Sequence, residues 1–185
     1  MTDSFQGLIY RIPTGGGAPQ VWFQHPNLLG NPQMLFGVNG IRFDEKNKHV
    51  YFSVTVRNDF SGATYRLAVV NNPSAADLEE FAVYPATQQG PLAPDGIAFT
   101  QTGRLVVALA GSSQISILRQ NGKEALRLSG PADNGKQGTL PRANPANIAF
   151  NDDERTILVT NHASLVPFDP NLFALIEVFI KEKGQ

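Results

Sequence analysis

The sequence predicts an all-β chain of the β-propeller class, and three observations carry that prediction. A phrase recurs three times, as "GVNGIRFDEKNKHVYFSVT", "APDGIAFTQTGRLVVALAG" and "NPANIAFNDDERTILVTNHA". It aligns Ile41, Ile97 and Ile148 at intervals of about 50 residues, a period that belongs to propeller blades. The apolar runs are short and rich in β-branched and aromatic residues, as strands are. Seventeen glycines and 13 prolines separate them, which favours many short strands over long helices.

The elements follow in order. "GLIYRI" and "QVWFQ" read as two strands around the turn "PTGGGAP". "IRF", "HVYFSVT", "ATYRLAV" and "EEFAVY" make a first set of four strands. "IAF", "RLVVALA", "QISILRQ" and "ALRLS" make a second, and "IAF", "TILVTN" and "FALIEVFI" make a third. Two stretches have helical potential. "SAADLEEF" lies in a connection, whereas "PNLFALIEVF" is rich enough in β-branched and aromatic residues to be assigned as strand. Each set forms a four-stranded antiparallel sheet that buries its faces only by stacking on its neighbours. The "GI-F" strand is expected innermost, with Gly40, Gly96 and Asn147 at its entry. The chain thus reads as one partial propeller domain, 1–185. Residues 1–30 supply the outer strands of an incomplete blade, and 31–85, 86–138 and 139–185 are successive blades.

Composition limits what this fold does. With 185 residues, 42% of them hydrophobic, and a net charge of -1, the chain has material for one sizeable core and no charge excess suited to nucleic acid. No apolar run approaches the roughly 20 residues of a membrane helix, and the N-terminus lacks the basic-then-apolar order of a signal peptide. No membrane partner is expected, and the compartment stays open. The absence of cysteine removes disulfides and thiolate metal sites.

The phrases "VNGIRFDEKNKHVYFSV", "PDGIAFTQTGRLVVALAGSSQISILRQNGK" and "TILVTNHA" resemble the gluconolactonase, regucalcin (senescence marker protein) and luciferin-regenerating-enzyme family of six-bladed propellers. The resemblance covers the second half or so of the family's length, so about three and a half blades are expected. It implies a metal-dependent hydrolase of a lactone or related ester. A divalent cation, calcium first and zinc or magnesium as alternatives, would sit at the channel mouth on a glutamate, an asparagine and an aspartate. Asn39 in "VNG" and Asp95 in "PDG" occupy the last two positions, and Asp95 is also implied as the general base. The family's glutamate is expected in a segment N-terminal to this one. Oxygen donors of this kind suit a hard cation. Asn-Gly and Asp-Gly are equally common turn dipeptides, because both tolerate positive φ. The third repeat departs from the pattern, with Ala146 at the ligand position and Asn147, read as a turn residue, replacing glycine.

Other residues carry weaker signals. "TGGGAP" lacks the spacing and following helix of a phosphate loop. The acidic run at 151–154 reads as a hairpin, His162 as a structural or mouth-lining histidine, and Arg57, Asn58, Asp59 and Arg142 as surface-loop residues within reach of a substrate. His25 and His49 lack partners at metal-ligand spacing. No serine sits in a nucleophile elbow. Two alternatives remain: a biosynthetic propeller that shapes a small molecule without hydrolysis, like strictosidine synthase or a pericyclase, and a non-catalytic binding propeller. Three and a half blades on their own would leave apolar faces uncovered, with Tyr10, Trp22, Phe23, Phe173 and Ile176 contributing to them. Self-association and little lactonase activity are expected of such a chain.

Overall fold

Strand order follows sequence order throughout, and every pairing is antiparallel, so the chain folds as a series of meanders. The computed structural model describes residues 1–129, 144–151, 155–162, 173–180 and 184. The first sheet holds β1 (Thr2–Asp3), β2 (Leu8–Arg11) and β3 (Gln20–Gln24). The second holds β4 (Val38–Phe43), β5 (His49–Val54), β6 (Gly62–Ala68) and β7 (Leu78–Tyr84). The third holds β8 (Pro94–Phe99), β9 (Leu105–Leu109), β10 (Gln114–Leu118) and β11 (Glu124–Ser129). The fourth holds β12 (Pro145–Phe150), β13 (Thr156–Asn161) and β14 (Leu175–Phe179). These sheets are blades of a β-propeller, and the strand after each "NG", "DG" or "AN" dipeptide lies at one edge of its sheet.

The helical potential of "SAADLEEF" is realised only as a 3₁₀ turn at Ala75–Asp77. Ser74 donates through its backbone N–H and its hydroxyl to Asp77 Oδ2 at 2.7 Å, which closes the turn. From Leu78 onward the chain pairs with β6 instead, because the cross-strand partners Arg66 and Glu79 form a bidentate ion pair there. "FALIEVFI" is strand, as expected. Gly15, Gly16 and Gly17 all take positive φ, so the "GGG" run is a turn between β2 and β3 that only glycine makes without strain.

The chain divides into two compact units, Met1–Pro91 and Leu92–Gln185. In the first, Ile9, Phe23 and Leu28 pack against Val50, Phe52, Val54 and Tyr65 of the second sheet. Phe23 is therefore buried core, because the second sheet covers the face that was expected to lie bare. Tyr10, Trp22 and Ile176 are half-buried, and Phe173 is half-exposed. In the second unit, Ala98, Val106, Ala108 and Ile115 face Ile148, Ile157, Val159 and Val178. All five residues of β9 are fully buried, so "LVVAL" is a continuous apolar run with no alternation. Burying one such side chain contributes about 2 kcal/mol, and each inter-sheet cluster gathers ten buried apolar residues.

Candidate functional site

The register of three blades slips at the same place. Val38 pairs with Val54 and Ile41 with Phe52, so Asn39 and Gly40 together face a single partner residue. Pro94 pairs with Leu109 and Ile97 with Val107, which sets Asp95 and Gly96 in the same bulge. Pro145 pairs with Asn161 and Asn147 with Thr160, with Ala146 between them. The dipeptides read as possible turns are therefore β-bulges inside the edge strand. A bulge bends its strand and re-aims its side chains, and such features gather beside functional sites. Asn147 is likewise a bulge residue and not a turn residue; its Oδ1 accepts from Ile148 N at 2.9 Å.

The backbone around each bulge is held alike. The N–H of Thr55 donates to Gly37 O, that of Ala110 to Ala93 O, and that of His162 to Asn144 O. Each bond joins the residue just after the second strand to the residue just before the first. Ala93 and Asn144 both sit at φ 53°, the left-handed region that costs an ordinary residue about 1 kcal/mol or more. Asn144 is buried and anchors itself by donating from Nδ2 to Ala110 O at 2.8 Å.

On this common frame the side chains diverge. Asn39, in the first unit, is half-buried and donates from Nδ2 to Thr55 Oγ1 at 3.3 Å. Its backbone carbonyl accepts from Thr2 Oγ1 at 2.7 Å. The amide is thus held by its nitrogen end, and its carbonyl oxygen is the end that suits a hard cation. Asp95, in the second unit, is the second residue of β8, and the position matching Thr55 there is Ala110. Its carboxyl lies mostly below the surface, and desolvation pushes its pKa up from 3.8 to about 7. Beside it, a Cβ on Gly96 would stand 2.5 Å from Asn147 Cα and 2.6 Å from Ala146 O, so glycine is required for the β8 and β12 bulges to touch.

The weaker candidates take structural roles. Arg57 bonds Ser61 Oγ at 2.8 Å, Tyr65 OH at 3.2 Å and Glu80 at 2.5 Å, which ties a loop to its own blade. Asp59 caps that loop through Ser61, and those hydrogen bonds lower its pKa. Asn58 accepts from buried Asn31 through its carbonyl. His25 caps the Pro26–Leu28 turn and His49 pairs with Asp44 at 3.3 Å. His162 is exposed at the position matching Thr55. Asn151 belongs to a hairpin and bonds Glu177, whereas Asp152, Asp153, Glu154 and Arg142 lie outside the described residues.

Sequence reasoning missed Thr55, Ala110 and Asn161. The repeat itself carried their signal, since Thr55 and Ala110 follow the second strand of their blades and Asn161 ends the second strand of its own. Asn161 matches Val54 and Leu109, both fully buried and apolar, yet among the described residues its buried amide has no hydrogen-bond partner on either polar atom.

The oxygen donors at Asn39 and Asp95 have the chemistry a calcium-type cation takes, and a desolvated carboxyl is the group that a cation would return to its charged form. Among the described residues no three His, Asp or Glu side chains cluster as a metal site.

A sequence profile of the SMP-30/gluconolactonase/LRE-like region matches residues 32–163. No curated protein sequence matches the chain. Three solved structures show the likeness at the level of fold. A calcium-binding regucalcin of Agrobacterium tumefaciens is 17% identical with a TM-score of 0.64, over 96% of this chain and 54% of that one. A gluconolactonase of Xanthomonas campestris is 17% identical with a TM-score of 0.57, over 83% and 41%. A virginiamycin B lyase of Staphylococcus aureus is 14% identical with a TM-score of 0.54, over 97% and 50%. The chain spans about half the length of these proteins.

Proposed function

Because this chain belongs to the SMP-30/gluconolactonase/LRE-like family, we propose that it carries part of a hydrolytic site for a lactone or related ester, with Asp95 as its polar residue and Asn39 in the equivalent bulge of its own blade. The observation that supports this reading is the repeated bulge, which gives the two residues equivalent places in successive blades. Asp95 is the general base. Near neutral pH a carboxyl with a pKa of about 7 is part deprotonated and still basic enough to take a proton, the compromise that proton transfer needs. Water adds its oxygen to the lactone carbonyl carbon as its proton passes to Asp95. The ring C–O bond then breaks, the leaving alkoxide recovers that proton, and an open-chain hydroxy acid results. Asn39 Oδ1 and the Asp95 carboxylate are each donors of the kind a divalent cation takes, calcium before zinc or magnesium, and such a cation would supply carbonyl polarisation when bound.

Acid release from a set of δ- and γ-lactones, followed at constant pH with and without calcium, tests the reading. Turnover that rises with pH through about 7 and disappears in Asp95→Asn supports it. Turnover unchanged in Asp95→Asn, or neither turnover nor a calcium-dependent rise in melting temperature, sinks it. The virginiamycin B lyase fold neighbour motivates a second reading, in which Asp95 serves as base for a reaction without hydrolysis. Reaction in ¹⁸O-labelled water separates the two, since only hydrolysis places the label in the product.

A further inference from the structure

The first unit contains a groove whose lining does not include Asn39. It has a volume of about 690 Å³ and runs between the first and second sheets, with Ile9, Ile12, Trp22 and Phe43 among its walls. Ile12 and Phe43 are half-exposed within it. One wall is fixed by Trp22, whose Nε1 donates to Val70 O at 2.9 Å and ties β3 to the chain after β6. This size is that of a small-molecule pocket, and apolar walls with a few placed polar groups are what such pockets present.

The polar groups here have one sign. Arg11 and Arg42 both line the groove, and among the described residues no aspartate or glutamate does. Arg42 donates to the carbonyl of Ile41 and Arg11 to Gln20 Oε1 at 3.5 Å. Neither guanidinium forms an ion pair among the described residues, whereas Arg57, Arg66 and Arg127 each do. Two cations at the lip of an apolar trough match a molecule with an anionic head and an apolar body. A guanidinium grips a carboxylate in bidentate fashion, and the trough removes the body from water.

We propose that this groove binds an amphipathic carboxylate, with Arg11 and Arg42 on the carboxylate and the Trp22–Phe43 walls on its apolar chain. The site lies on different residues from the bulges and stands or falls independently of lactone hydrolysis. Trp22 is the only tryptophan in the sequence, so its fluorescence reports on the groove directly. The full chain is titrated with decanoate below its micelle concentration and, in parallel, with decan-1-ol. Decanoate should give a saturable change with a Kd on the order of 100 µM. Decanol should bind about tenfold more weakly. The double variant Arg11→Gln/Arg42→Gln removes only exposed side chains, so it should fold normally, lose about tenfold in decanoate affinity and keep its decanol affinity. Equal binding of acid and alcohol overturns the proposal, as does a double variant that binds decanoate like the parent. A groove already filled by polypeptide, seen as a decanoate-insensitive Trp22 signal together with a dimer in light scattering, also overturns it.

Discussion

The bulge at Asn39 and the bulge at Asp95 share a register slip, a dipeptide ending in glycine and the same backbone hydrogen bond behind them, yet they present different chemistry. Behind Asn39 stands Thr55, which takes a hydrogen bond from the amide and fixes its orientation. The matching position behind Asp95 is Ala110, which has no side-chain hydrogen-bonding group to offer the carboxyl, and burial raises its pKa to about 7. The backbone frame is a property of the fold. The two bulges differ in the residue that follows the neighbouring strand, Thr55 against Ala110, and in the desolvation of the Asp95 carboxyl.

The largest effect is expected where the frame itself is attacked. Gly96→Ala drives a Cβ into Asn147 and Ala146, so it should cost about 3 kcal/mol and lower the melting temperature by several degrees. An unchanged transition would show that the β8 and β12 bulges do not need their close contact.

Next comes the charge on Asp95. An acid whose pKa is 3.8 unfolded and about 7 folded binds a proton on folding between those values. Stability therefore falls as pH rises through that window and levels off above it. Asp95→Asn removes this dependence. The full shift is worth about 4 kcal/mol, and because Asp95 is only partly buried the variant should match the parent near pH 4 and exceed it by about 3 kcal/mol at pH 8 in denaturant titrations. A difference that does not depend on pH would contradict the desolvation account.

Converting one bulge toward the other gives a finer test. Ala110→Thr supplies the hydroxyl that Thr55 offers Asn39, and donation to the carboxylate should lower the Asp95 midpoint by about one pH unit, or about 1.4 kcal/mol. The smallest effect is at Asn161. Asn161→Val installs the residue type found at Val54 and removes an amide with no partner among the described residues, so it should stabilise the chain by about 1 kcal/mol. Destabilisation would mean that the amide is satisfied by water or by a ligand.

Much of this fold was legible because the repeat is written in apolar spacing. Ile41, Ile97 and Ile148 occupy matching strands, and "FALIEVFI" is strand by its β-branched content. The bulges were not legible. Asn-Gly and Asp-Gly serve turns and bulges alike, and only strand register separates the cases; in these bulges Asn39, Gly40, Asp95 and Gly96 all keep negative φ. "SAADLEEF" has helical potential, yet its end belongs to the strand read as "EEFAVY", which the structure shows as β7. Its composition favours a helix, but from Leu78 the strand pairing with β6 outweighs that propensity. Asp95 could be named from family resemblance, whereas its raised pKa could not, because burial belongs to the packed chain.

The most direct test of the account is the titration of the Asp95 side-chain carboxyl by ¹³C NMR, with Asp95→Asn to assign the resonance. The account predicts a midpoint near 7 in the parent chain and a lower one in Ala110→Thr. A midpoint near 4 in both would contradict it, for Asp95 would then be an ordinary solvated carboxylate and the two bulges would not differ in the way described.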